Sequence, residues 1–195
     1  MRAGAAAWIA LAAAFAVAAA LCWSAAPAAL DWRPALTAAE PWRMWTAAFV
    51  HLSPLHLLAN ELGCLVVAAF GAVARVPVAA AWAWFVAWPL GHAALALQPA
   101  LTSYGGLSGV LHAGVAVVAW QLLRREHGTR RSIGAAVLVG LVVKLFLERP
   151  WESPTRSMPG WDFAVAPLAH ATGSAAGLAC ALIVDLVAAR MGRRP

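Results

Sequence analysis

Residues 76–123 read VPVAAAWAWFVAWPLGHAALALQPALTSYGGLSGVLHAGVAVVAWQLL, without one charged side chain. A helix needs about 20 mainly apolar residues to cross the hydrocarbon of a bilayer, so this run holds two spans rather than one. The break falls at Gln98, Pro99, Gly105 and Gly106, because proline lacks an amide donor and glycine favours a turn. Working outward, uncharged runs also extend from Ala3 to Leu30, from Leu62 to Ala74 and from Phe163 to Val184, with a mostly apolar stretch between Ser132 and Leu147. The spacing predicts six spans, roughly 3–24, 54–74, 77–97, 107–123, 132–147 and 164–189. All are expected to be helical, since lipid offers no partner to unpaired backbone groups. The expected fold is therefore all-α: one integral membrane domain over residues 1–195, built as a six-helix bundle in contact with the lipid bilayer.

The composition agrees with that reading. Of 195 residues 63% are hydrophobic and 11% charged, against about 45–50% apolar and about 25% charged in soluble domains. A large soluble domain is excluded, as are disordered, collagen-like and disulfide-framework classes. Cys22, Cys64 and Cys180 lie in apolar runs and read as small buried hydrophobes. The net charge of +6 does not point to nucleic acid, because the basic residues punctuate the apolar runs instead of forming a separate stripe. With the N-terminus inside, nine arginines fall in inner segments (Arg2, Arg75, Arg124, Arg125, Arg130, Arg131, Arg190, Arg193, Arg194) and four in outer ones (Arg33, Arg43, Arg149, Arg156). The positive-inside rule then makes both termini cytoplasmic. A cleaved signal peptide competes for the first 30 residues, given Arg2 and the small residues from Ser24 to Ala29. The apolar run is longer than the usual signal core, however, and its removal would put the C-terminal arginines outside. Trp23, Trp32, Trp42, Trp45, Trp151 and Trp161 stand at or beyond span ends, where an interfacial aromatic belt is expected.

Polar groups inside a bilayer are costly and so are functional candidates. His56 and Asn60, four apart at the start of the second span, share a helical face; they read either as oxyanion donors or as interhelical hydrogen bonds. In Tyr104-Gly105-Gly106-Leu107-Ser108-Gly109, a serine framed by Gly106 and Gly109 stands at a helix start near free amide groups. It is a nucleophile beside an oxyanion site, or simply an N-cap. In the last span, Gly173 and Gly177 form a small-residue ridge one turn inward of His170. Packed on the fourth span, that ridge would bring His170 toward Ser108 as the base a serine needs. His112, four after Ser108, is a rival base or a pocket wall. His92 reads as a bundle hydrogen-bonding residue and His127 as solvated, while Glu61 and Lys144 interrupt apolar runs with their roles open.

Taken in order, these motifs resemble the rhomboid family of intramembrane serine proteases: Trp42-Arg43 and the first outer loop, His56-xxx-Asn60, Gly106-Leu107-Ser108-Gly109 and His170-xx-Gly173-xxx-Gly177. The resemblance implies that Ser108 attacks the scissile carbonyl, that His170 serves as base and then acid in a dyad, and that His56, Asn60 and Ser108 hold the oxyanion. Gly106, Gly109, His112, Gly173 and Gly177 would form the pocket. It implies transmembrane-helix substrates, no cofactor and no metal, and a multi-pass protein of the bacterial inner membrane with its site opening outward. Many rhomboids carry an aromatic residue where this chain has His112. The short chain and the run Gly-Leu-Ser-Gly-Val-Leu-His resemble the rhombosortase branch, whose proposed substrates are secreted proteins ending in a Gly-Gly motif, an apolar helix and a basic tail. Two other classes stand beside this reading: a metal or haem protein using His51, His56, His92, His112 and His170, which lacks any HExxH motif, and a catalytically silent relative that binds transmembrane helices. The acceptor of the acyl group and the oligomeric state stay open. The proline-rich segment from Glu148 to Pro167 is expected to be an irregular outer loop capping the site.

Overall fold

The computed structural model describes residues 3–192. Three arginines of the orientation argument, Arg2, Arg193 and Arg194, lie outside the described residues, as do the two ends of the expected 1–195 domain. Eight α-helices occur among the described residues: α1 (Ala3–Leu21), the short α2 (Pro27–Leu30) and α3 (Arg43–Thr46), then α4 (Pro54–Ala74), α5 (Val78–Ala94), α6 (Ser108–Arg125), α7 (Gly128–Glu148) and α8 (Pro167–Met191). The six long ones begin and end where the chain dictates. Ser53 caps α4, its hydroxyl accepting the His56 amide at 3.1 Å, with Pro54 in the first position. A left-handed Arg149 closes α7, and Pro167 opens α8.

Among the described residues four segments are long and apolar enough to cross a membrane: Ala3–Ser24, Pro54–Ala74, Val78–Leu97 and Pro167–Met191. The other two long helices are more polar for identifiable reasons. Helix α6 is the most enclosed, packed by α4, α5, α7 and α8, and carries half-buried Ser108 and His112 and buried Gln121. Helix α7 starts four residues before the expected 132 and so takes in Arg130, whose guanidinium reaches the Ala74 carbonyl at 3.0 Å. Later in α7 come Lys144 and Glu148.

The close approach of α6 and α8 sets the geometry of everything above it. A Cβ on Gly173 would lie 2.0 Å from the Gly109 carbonyl oxygen, and one on Gly177 would lie 2.4 Å from that of Ala113. Backbones this close exclude any larger residue at either position. At the opposite end Asp185 of α8 accepts from Trp120 Nε1 at 2.8 Å and from Arg125 at 2.8 Å, so the pair is fixed at both ends. On the other side of α6, Trp84 donates to the Val110 carbonyl at 2.7 Å and stacks on Trp8 with centroids 4.3 Å apart. Trp8 in turn donates to Val67 of α4.

Three expectations are corrected. Trp32 is fully buried (0% exposed) and is no part of an interfacial belt; its backbone forms an antiparallel bridge with Tyr104, with N–O distances of 2.8 Å both ways, that ties the first loop to the segment before α6. The other five tryptophans named with it are exposed. Cys22 is only half-buried, in the 3-10 turn just after α1, whereas Cys64 and Cys180 are buried. The segment after α7 is not wholly irregular: β1 (Arg156–Ser157) pairs antiparallel with β2 (Ala164–Val165). The first loop is also ordered from within, since buried Arg43 donates to the Asp31 carboxylate at 3.0 Å and to the carbonyls of Asp31 and Ala28, and pairs with Glu40.

Candidate active site

Ser108 is the first residue of α6, after Leu107, whose own side chain makes no capping bond. The serine hydroxyl is therefore not used as a cap. It donates instead to His170 Nε2 at 3.0 Å, across the contact that Gly173 and Gly109 make possible. His112 does not compete for it: its ring nitrogen Nδ1 lies 2.7 Å from the Ser108 carbonyl oxygen, which can only accept, so Nδ1 carries the proton and donates. The His112 ring instead stacks on His170, centroids 4.2 Å apart and planes within 13°. A histidine in place of the usual aromatic residue still covers the His170 face.

The segment leading to Ser108 is rigidly held. Gly106 donates to the Ala47 carbonyl at 2.9 Å and has φ +139°, with a Cβ position only 2.8 Å from His56 Nε2; no side chain fits there. The Tyr104 hydroxyl donates to the Gly106 carbonyl at 2.7 Å. Burial pushes the Tyr104 phenol up to about 12, so it stays a donor. His56 Nδ1 accepts the Leu52 amide at 3.2 Å, which leaves the proton of the neutral ring on Nε2 beside Gly106. The neighbouring His51 ring, 4.8 Å away between centroids, is held neutral by burial, which lowers its pKa. Asn60 is buried, and its Nδ2 has no hydrogen-bond partner among the described residues.

His56, Asn60, Ser108, His112 and His170 all line one cavity of about 560 Å³. Leu111, Val115, Val137 and Leu141 make its deeper wall apolar, while Met158, Trp161 and Phe163 of the hairpin segment cover it. That segment is latched to α4: Phe163 stacks on His56 with centroids 4.0 Å apart, and Asp162 accepts from Ser53 at 2.6 Å. An apolar cavity with a few converging polar groups is the ordinary form of a binding or catalytic site.

One contact was not anticipated from the sequence. Glu148, the last residue of α7, has Oε2 2.8 Å from His170 Nδ1 and Oε1 2.5 Å from Lys144 Nζ. Lys144 Nζ is also 3.3 Å from His170 Nδ1, but the shorter carboxylate contact decides the tautomer: Nδ1 carries the proton, and Nε2 is free to accept from Ser108. The signal in the sequence was an i, i+4 charged pair at the end of an apolar helix, costly unless paired or functional.

The remaining histidines lie apart from this site. His92 Nδ1 contacts the Met44 carbonyl at 2.6 Å and His127 is exposed. Among the described residues no three His, Cys, Asp or Glu side chains form a group able to hold a metal ion. The five histidines of the metal or haem reading are split between the pairs His51–His56 and His112–His170, with His92 alone.

The Rhomboid domain family model matches residues 38–185 of this chain, from the first loop to the C-terminal part of α8. The chain belongs to the rhomboid family. Among curated proteins no match is found. Rhomboids are intramembrane serine proteases that act on membrane helices within the bilayer, and with its apolar helices this member is a multi-pass membrane protein.

Proposed function

We propose that this rhomboid is an active serine endopeptidase that cleaves transmembrane or C-terminally anchored proteins through Ser108 and His170. The observation carrying the reading is the 3.0 Å hydrogen bond from the Ser108 hydroxyl to His170 Nε2 at an apolar cavity. Ser108 Oγ attacks the scissile carbonyl carbon as His170 Nε2 takes its proton. The resulting oxyanion accepts from His56 Nε2–H, Asn60 Nδ2–H and the Ser108 amide, one of the first-turn donors that have no partner within the helix. Collapse breaks the C–N bond, and the leaving amine takes the proton from Nε2. A second nucleophile then releases the acyl group from Ser108 by the same steps in reverse. In the rhombosortase reading the substrate is a secreted protein bearing a Gly-Gly motif, an apolar helix and a basic tail.

A catalytically silent helix-binding relative would show the same cavity without turnover, so reactivity is the deciding property. Purified protein in detergent is expected to be labelled by a fluorophosphonate, and Ser108→Ala to abolish labelling. It should also shorten a reporter protein carrying the tripartite tail. Labelling without cleavage of that tail, but with cleavage of an ordinary transmembrane substrate, would remove the rhombosortase branch. No Ser108-dependent labelling would remove the protease reading altogether.

The membrane arrangement follows from the arginine asymmetry: six spans, both termini cytoplasmic and the site toward the outer side of a bacterial inner membrane. We take α6 and α7 as the remaining two spans; the packing of α6 among its neighbours and the placement of the α7 charges toward its two ends support that reading. Reporter fusions after Arg125 and after Arg156 should read inside and outside. The opposite pattern would overturn the topology.

A further inference from the structure

The place of Glu148 in α7 runs against what a helix favours by itself. A carboxylate in the last turn faces the negative end of the helix dipole, where a cation is preferred. Its i−4 neighbour Lys144 gives the lysine-before-glutamate order, the less favourable of the two. The side chain is also largely removed from solvent, at 12% exposure. What compensates lies outside the helix: the imidazole of His170, itself 6% exposed, 22 residues along the chain on α8.

We propose that Glu148 is a third member of the Ser108–His170 site, a positioning residue whose carboxylate fixes the His170 tautomer and offsets the charge the ring gains when it takes the serine proton. The inference rests on the protease reading above and changes it from a dyad to a Ser–His–Glu arrangement. Both ring nitrogens of His170 are then assigned. Nδ1–H donates to Glu148 Oε2 at 2.8 Å, and Nε2 accepts from Ser108 at 3.0 Å, which is the order of contacts that activates a serine. The proton travels from Ser108 Oγ to His170 Nε2 and on to the leaving amine; Glu148 takes none. Lys144 holds the other carboxylate oxygen at 2.5 Å, keeping Glu148 anionic and aimed at the ring. His112 stacks on the ring face and Ser108 lies at its edge, so Glu148 is the one anionic group in contact with His170 among the described residues.

The opposing explanation is that Glu148 merely fastens the outer end of α7 to α8. Three variants in detergent, assayed for kcat, KM and thermal midpoint on one cleavable transmembrane substrate, separate the two. Glu148→Gln keeps an acceptor and loses the charge. It is expected to lower kcat by about 10²–10⁴, the scale known where the acidic member of such a site is neutralised, with KM and the thermal midpoint little changed. Glu148→Asp keeps the charge and should recover at least tenfold over the Gln variant. Lys144→Gln, which removes the cation that aims Glu148, should lose about twofold to fivefold in kcat, the scale of one partly exposed ion pair; if Glu148→Gln does not fold, an unchanged kcat in Lys144→Gln overturns the proposal. A kcat within threefold of wild type for Glu148→Gln, or a lowered midpoint with kcat retained, overturns the proposal while Ser108-dependent fluorophosphonate labelling of the wild type keeps the protease reading intact. If the wild type is not labelled, both fall.

Discussion

Ser108→Ala and His170→Ala, made singly, will each reduce cleavage to background, and the double variant will be no worse than either. The two side chains share one hydrogen bond and would work as a unit, so their losses do not add; in other serine hydrolases removal of either member costs on the order of 10⁶ in kcat. The protein should stay folded. The Ser108 hydroxyl makes no capping bond in α6, and the α6–α8 contact depends on Gly109, Gly173 and Gly177 rather than on the ring of His170. His170→Ala carries the larger structural cost, since it strips Glu148 of its imidazole partner and His112 of its stacking face. Thermal midpoints measured beside the rates distinguish that cost from lost chemistry. Activity surviving in His170→Ala but not in His112→Ala would move the base to His112, against the pairing of its Nδ1 with the Ser108 carbonyl.

What the sequence discloses about this site follows from which interactions are local. Helix starts are written in short signals such as Ser53-Pro54, and α4 runs over the same 54–74 that the pattern predicts. The meeting of α6 and α8 is also legible, because small residues four apart on a helix have little use except close packing, and the interval from His170 to Gly173 then carries the imidazole to the height of Ser108. For Glu148 the charged pair with Lys144 marks a place in the sequence but not a partner. Local helix rules disfavour a glutamate there, and the partner that stabilises it appears only once α7 and α8 stand side by side. Trp32 was misread because a tryptophan at a span end has the same sequence context whether it faces lipid or a buried backbone bridge. The hairpin at 156–165 has strands of two residues each, too short for any alternation to register. The two least apolar long helices are the ones that carry Ser108 and Glu148, as expected where polar side chains are shielded by neighbouring helices rather than placed against lipid.

Asn60→Ala will lower kcat by roughly 10²–10³ while leaving KM and the thermal midpoint nearly unchanged, an effect of the size seen when one oxyanion donor is removed from a serine hydrolase. The asymmetry comes from what the side chain does in the resting protein. Its Nδ2 is buried without a hydrogen-bond partner among the described residues, and such a donor costs about 1–3 kcal/mol when left unpaired. Removing it takes no hydrogen bond of Nδ2 away from the fold, and relief of that cost offsets the packing lost with a buried side chain, whereas removing a structural residue would lower the midpoint. Under the proposed protease reading it is used when an acceptor arrives, and the cavity it lines with Ser108 and His56 is where a tetrahedral oxyanion would form. His56 supplies the contrast on the same face of α4. Its Nδ1 already holds the Leu52 amide and its ring stacks on Phe163, so His56→Ala should lower both the midpoint and kcat. Melts and steady-state rates on one detergent preparation test the pair together. If Asn60→Ala instead loses stability with kcat kept within a few-fold, the unpaired amide is not an oxyanion donor, and stabilisation of the intermediate falls to His56 and the backbone amide of Ser108.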